Sequence, residues 1–247
     1  YDVMTSPKNY IETAYQAIYN SQISQGLSPE AANIKANSIL PTKASGGLGY
    51  NIYTTPTGEL LIGSNGRLNP NATLGYSDGS YYYTPDNWAD ETFQNNLRQE
   101  YNINASGGNE KATYYLAFGY LDDQGVISGS GLTRYNGRFK GDYKLTQWLK
   151  VGANFSYINS QSRYPAEQDA NATASSDNAF FVANNIAPVY PMYVRDTDKN
   201  IMLNNGRKVY DYGDGQSTKN SRSFMSIANP AGDLTYNKTE YLMDVIN

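Results

Sequence analysis

Asp196, Asp198 and Asn200 stand in a D-x-D-x-N spacing, in which alternate oxygen-bearing side chains of one loop can converge on a calcium ion. A calcium loop of the helix–loop–helix kind would place Gly at its sixth position and Glu at its twelfth. This sequence has Ile201 and Arg207 there, so a plain turn is expected. Asp122 and Asp123 are adjacent carboxylates close to Gly125 and read as solvated turn acids rather than as a general acid and base. Gly46, Gly47 and Gly49 have no Lys-Ser/Thr after them, so they form no phosphate-cradling loop. The chain contains no His and no Cys, which removes the commonest general base, thiolate zinc sites, disulfides and cysteine nucleophiles. No catalytic residue, metal ligand or cofactor is assigned, and an enzyme is not expected. Aromatic residues are the better lead. Tyr81, Tyr82, Tyr83, Trp88, Phe180, Phe181, Tyr190 and Tyr193 lie in stretches rich in Asn, Asp and Ser. Aromatic planes beside amide donors suit sugar or peptide binding; packing of loop against loop, or contact with a protein partner, is the alternative.

The 19 basic and 23 acidic residues among 247 give a net charge of -4, the wrong sign for a nucleic-acid surface. No run approaches the ~18 apolar residues of a membrane-spanning helix. The opening residues lack a charged region followed by an apolar stretch, so no signal peptide is expected within this sequence. A mean hydropathy of -0.63 does not exclude a membrane β-barrel, whose strands give half their residues to a polar interior.

The elements that would carry these residues change character along the chain. Ser6 with Pro7, and again Ser28 with Pro29 and Glu30, are helix starts; Ile11, Ala14, Tyr15 and Ile18 repeat at helical spacing as far as Gly26. A helical hairpin is expected over the first 41 residues, then a long irregular loop over 42–84, then a short helix starting at Thr84, Pro85 and Asp86. From Asn96 the period becomes two. Four antiparallel strands of roughly ten residues are expected, broken at 106–109, 122–131 and 146–148. A long loop follows over 161–235, with a short helix starting near Ser176, and a further strand begins in 236–247.

Each strand has one largely apolar and one polar face. Two readings account for that: a soluble sandwich, or a membrane barrel with lipid outside and a polar interior. The apolar face is built of Tyr, Leu, Phe and Ala with Gly between, rather than the dense Val, Ile and Leu of a sandwich core. Tyr114 and Tyr143 near the tight turns, and Tyr120, Tyr135 and Tyr157 at the other ends, bracket an apolar middle as aromatic girdles do. On the barrel reading Leu116, Phe118, Phe139 and Phe155 face lipid, while Arg98, Glu100, Arg134, Arg138, Lys140, Asp142 and Lys144 face the lumen. The tight turns are then periplasmic and the long loops extracellular.

The runs Tyr101 to Gly108 (YNINASGG), Tyr114-Tyr115, Gly119 to Asp122 (GYLD), Gly125 to Ile127, Gly129-Ser130, Arg134-Tyr135 and Trp148 to Asn154 (WLKVGAN) resemble the barrel of SusC/RagA-type TonB-dependent transporters of Bacteroidetes. Weaker likeness lies in Tyr10 to Asn20, Asn185 to Pro191 and Asn229 to Ala231. The resemblance implies an all-β chain, a segment of a 22-stranded antiparallel transmembrane barrel whose long extracellular loops carry short helices. It also implies nutrient import across the outer membrane of a Gram-negative bacterium, with a SusD-like surface lipoprotein as partner and with TonB engaged through parts outside this sequence. The expected regions are 1–95 as helical and irregular extracellular loop, 96–160 as four strands, 161–235 as a long extracellular loop, and 236–247 as the next strand. The plug domain and the remaining strands of such a transporter are not expected within this sequence. A surface-exposed binding or structural β-protein is the alternative.

Overall fold

The computed structural model describes residues 5–165, 179–226, 229–236 and 238–246. The start expected near Ser176 therefore lies outside the described residues. The chain divides into two units, one of Tyr1–Thr92 with Asp169–Gly232, the other of Phe93–Gln168 with Asp233–Asn247.

The first unit opens with α1 (Pro7–Ser24) and α2 (Pro29–Ile39). Both begin at a serine whose hydroxyl accepts a backbone N–H, Asn9 on Ser6 and Ala31 on Ser28, with proline just inside the helix. Gly26 ends α1 with φ +91°, a backbone region that glycine enters without steric cost. Ile11, Tyr15 and Ile18 bury one face of α1, and the Tyr15 hydroxyl donates to Asn33 Oδ1 of α2 at 2.7 Å. The region read as irregular is tied by short antiparallel pairs, Tyr53–Thr54 with Thr73–Leu74 and Tyr76–Ser77 with Tyr82–Tyr83. Asn37 adds a side-chain tie, donating to the Ile62 carbonyl at 2.9 Å and accepting the Ile62 N–H at 2.8 Å.

The next helix, α3 (Trp88–Thr92), starts later than the Thr84-Pro85-Asp86 run suggests. Asp86 is engaged instead by Arg195 Nη1 at 3.0 Å and by the Met192 N–H at 2.7 Å, and Asn87 accepts the Ala89 N–H at the helix start. Helix α4 (Ala179–Asn185) buries Ala179 and Val182. A further helix, α5 (Pro230–Tyr236), occupies residues read as loop; Asn229 Oδ1 accepts the Gly232 N–H at its start.

The second unit is an open antiparallel meander of β1 (Arg98–Gly108), β2 (Ala112–Gln124), β3 (Gly131–Lys144), β4 (Lys150–Pro165) and β5 (Lys238–Ile246), in spatial order β5-β4-β3-β2-β1. The β1–β2 turn is shorter than the break read at 106–109, because Ser106, Gly107 and Gly108 stay in the strand. Asn109 makes the turn with its side chain, accepting the N–H groups of Lys111 and Ala112 at 2.9 Å. Leu145 and Thr146 close the β3–β4 turn on Leu149. Asp122 and Asp123 sit inside β2 rather than in a turn, which corrects the reading of them as turn acids. As strand neighbours they point to opposite faces, so they form no paired site.

Candidate functional site

Register sorts the side chains of the sheet. Residues directly opposite one another in an antiparallel ladder share a face, and Ala105, Leu116, Phe139 and Phe155 form one row across β1 to β4. The next row is Ile103, Phe118, Gly137 and Tyr157, and the one beyond it is Tyr101, Tyr120, Tyr135 and Asn159, continued by Asp244 of β5. The rings of Tyr101, Tyr120 and Tyr135 step across three strands with centroids 6.2 and 5.0 Å apart. This apolar face is not covered: Ile103 is 71% exposed, Phe118 63% and Phe155 50%. Inner-face residues of a sandwich would be buried against a second sheet.

The opposite face carries most of the charges. Arg98 and Glu100 of β1 and Arg134, Arg138, Lys140, Asp142 and Lys144 of β3 all share it. At the Arg98 end the charges compensate one another, Arg98 meeting Glu100 at 2.8 Å and Asp123 at 3.8 Å. Toward the tight turns cations prevail. Asp142 reaches Lys150 at 3.5 Å, and Lys144 stands directly opposite Lys150. Like charges in that arrangement repel.

The loop aromatics divide into two groups. Tyr83, Trp88, Tyr190 and Tyr193 are buried in the core of the first unit, which is the loop-to-loop packing that stood as the alternative to ligand contact. Each also fastens a polar group: Tyr83 donates to Asp78 Oδ2 at 2.9 Å, Trp88 Nε1 to the Tyr190 carbonyl at 3.0 Å, and Tyr190 to the Leu48 carbonyl at 2.9 Å, while Tyr193 accepts from Lys208 Nζ at 3.2 Å. An aromatic in polar sequence looks like a surface contact because local pattern carries no sign of burial by distant segments. Tyr81, Tyr82 and Phe181 are half-buried and Phe180 is exposed, so these four keep some surface. Lys199 Nζ lies 5.2 Å from the Tyr82 ring centroid.

Local pattern holds no sign of the polar core they surround. Asp211 accepts the Tyr50 hydroxyl at 2.9 and 3.0 Å and the Gly213 N–H at 2.8 Å. Arg222 is fully buried, donates to the Asp211 carbonyl and, at 3.2 Å, to the Met225 carbonyl, and lies 4.9 Å from the Trp88 ring centroid. Asn229 donates to the carbonyls of Met192 and Asp211 at 2.8 and 2.9 Å. Burial pushes the Asp211 carboxyl up against the opposing pull of Arg222, and burial lowers Arg222 against the pull of Asp211. The Tyr190 phenol is pushed up to about 12, also by burial. These groups are enclosed and linked by hydrogen bonds, an arrangement that holds a loop lobe together.

The Asp196 to Asn200 segment is a turn: Asp196 Oδ1 accepts the Asn200 N–H at 2.9 Å, and Lys199 takes φ +72°. Among the described residues no three carboxylates gather as a metal site. No helix of the described residues is long and apolar enough to cross a membrane, which says nothing of crossing by strands.

No model of a known protein family matches the chain. It is similar to TonB-dependent receptor P39 of Formosa agariphila, 36% identical over 56 residues that make 23% of this chain and 5% of that protein. TonB-dependent receptor P26 of the same organism is 32% identical over 73 residues, 29% of this chain and 7% of that protein. TonB-dependent receptor SusC of Bacteroides thetaiotaomicron is 24% identical over 150 residues, 60% of this chain and 15% of that protein. The chain thus matches only 5 to 15% of the length of these curated relatives. Among solved structures, the RagAB peptide transporter matches 51% of this chain and 14% of its own at 23% identity with a TM-score of 0.39. The RagAB peptide importer in its closed-closed state matches 55% and 15% at 22% identity and 0.40. The chain is thus similar to a segment of TonB-dependent receptors, SusC among them.

Proposed function

We propose that the chain is part of an outer-membrane, TonB-dependent active transporter that imports oligosaccharides or peptides together with a SusD-like lipoprotein. The carrying observation is the uncovered apolar face, in which Leu116, Phe139 and Phe155 align across three strands while Arg134, Arg138, Lys140, Asp142 and Lys144 of β3 lie on the other side. A sheet built this way fits a wall between hydrocarbon and a polar interior. Its strands would continue into a barrel of the 22-stranded kind, with Leu116, Phe118, Phe139 and Phe155 toward lipid and Arg98, Glu100, Arg134, Arg138, Lys140, Asp142 and Lys144 toward the lumen. On this reading β1 to β5 contribute strands, most of 1–95 and of 161–235 forms the extracellular loop lobe, and Tyr81, Tyr82, Phe180 and Phe181 are its surface for partner or cargo.

The test uses the whole transporter. Phe118→Lys combined with Phe139→Lys should abolish its recovery from outer-membrane fractions, whereas Arg138→Gln should leave recovery unchanged. Equal recovery of all three proteins would contradict the proposal.

A further inference from the structure

The charged face has an uncompensated end. From mid-strand to the tight turns, Arg138, Lys140 and Lys144 of β3 and Lys150 of β4 meet one carboxylate of the ladder, Asp142. The β1–β2 turn adds one charge of each sign, Glu110 and Lys111. Asp142 is already engaged: it reaches Lys150 at 3.5 Å, and a Cβ on Gly152, directly opposite it, would meet Asp142 Oδ1 at 2.6 Å, so the acid leans over β4. Among the described residues no carboxylate is paired with Arg138, Lys140 or Lys144, and all three are exposed. Alternate residues of a strand lie about 7 Å apart, so Arg138 and Lys140 offer two positive groups at that spacing. The positions across from them are small or polar: Asn104, Ala117 and Ser156 in the Arg138 row, Ser106, Tyr115 and Asn154 in the Lys140 row.

Protein partners are held by desolvated aromatic and aliphatic anchors, and of these positions only Tyr115 is of that kind. Cationic, amide and hydroxyl donors around one aromatic plane instead match a hydroxylated chain that bears acid groups. We infer that this end of the charged face takes the carboxylate or sulfate groups of an acidic oligosaccharide. The inference rests on the proposed lumenal orientation of the charged face, and it narrows the proposed cargo from oligosaccharide or peptide to an anionic sugar.

Binding is measured by titration calorimetry on the whole transporter in mild detergent, with hexagalacturonate, a chondroitin sulfate hexasaccharide, neutral cellohexaose and a hexaglutamate peptide as probes. A spin label at position 155 of a parallel sample in bilayers reports whether the opposite face meets hydrocarbon or water. The expected result is that one of the two acidic saccharides binds at least tenfold tighter than cellohexaose and hexaglutamate, and more weakly as salt is raised. Arg138→Gln combined with Lys140→Gln should weaken that binding at least tenfold, while Lys35→Gln, the same loss of charge at an exposed position of α2, leaves it unchanged. Should the double variant fail to assemble, Lys144→Gln alone is expected to weaken binding at least threefold. Failure of both acidic saccharides to bind, or binding undiminished by these changes, while the label reports hydrocarbon, overturns the anionic site and leaves the orientation standing. Tighter binding of hexaglutamate overturns the assignment to a sugar. A label that reports bulk water overturns the orientation and the site with it.

Discussion

The Tyr50 hydroxyl donates to both carboxylate oxygens of Asp211, at 2.9 and 3.0 Å, and closes a loop between residues 161 positions apart. Both groups are buried, so the carboxylate has no ready replacement for that donor. Tyr50→Phe should destabilise the first unit by about 1–3 kcal/mol, the cost of leaving a buried acceptor short of a partner. Chemical unfolding followed by the near-ultraviolet signal of the buried tyrosines checks this, and an unchanged midpoint would show the bond to be dispensable.

Glu12 lies in α1 with its carboxylate accepting Arg67 Nη1 at 2.9 Å and the Leu68 N–H at 3.0 Å. Burial pushes this carboxyl up, but the Leu68 and Arg67 hydrogen bonds together hold it below the ordinary value of 4.5. A depressed carboxyl contributes stability that is present above its unfolded value and is lost as pH falls through the folded one. Arg67→Gln should raise the Glu12 pKa and move acid unfolding of this unit to higher pH. Side-chain carboxyl titration by NMR reads the shift directly.

Much of the sheet was legible because its information is local. Leu116 and Phe118 alternate with Ala117 and Gly119, and Arg138 and Lys140 with Phe139 and Gly141, so a two-residue period is visible without knowing any partner strand. The helix starts at Ser6-Pro7 and Ser28-Pro29 were legible for the same reason. The loop lobe was not. Its core joins Tyr50, Trp88, Tyr190 and Arg222, whose contacts span more than a hundred positions, and none of the segments concerned carries a period of its own. For that reason Tyr83, Trp88, Tyr190 and Tyr193 read as surface contacts, Asp211 and Arg222 were not singled out at all, and Asn229 entered only through a family likeness.

Arg138 occupies the charged face at mid-strand, where its neighbours across the ladder are the small Ala117 and Ser156. Reversal to Glu should leave strand assembly and membrane recovery intact, because on β3 that face is polar from Arg134 to Lys144, and should alter transport or the seating of whatever fills the lumen. A transport assay beside a fractionation assay separates the two. Loss of membrane recovery would place Arg138 elsewhere.

Phe139 pairs directly with Leu116 on one side and Phe155 on the other. On the proposed lipid-facing orientation a cation at this position would lie in hydrocarbon, and Phe139→Arg should destabilise the assembled barrel by about 2–4 kcal/mol if the position is near the midplane. Reversible unfolding of the transporter from lipid vesicles measures the difference, and a change within about 0.5 kcal/mol, as for an ordinary surface substitution, would argue against that depth.

The central claim is that one face of the sheet meets lipid and the other does not. Single spin labels at 116, 118, 139 and 155, and at 138 and 140, in the whole transporter in bilayers can be compared by collision with oxygen, which concentrates in hydrocarbon, and with a water-soluble nickel chelate. The account predicts that the first four are accessible to oxygen and shielded from the chelate, while 138 and 140 lack the oxygen signature. Chelate accessibility at 116, 118, 139 and 155 equal to that of a fully solvated label would contradict it.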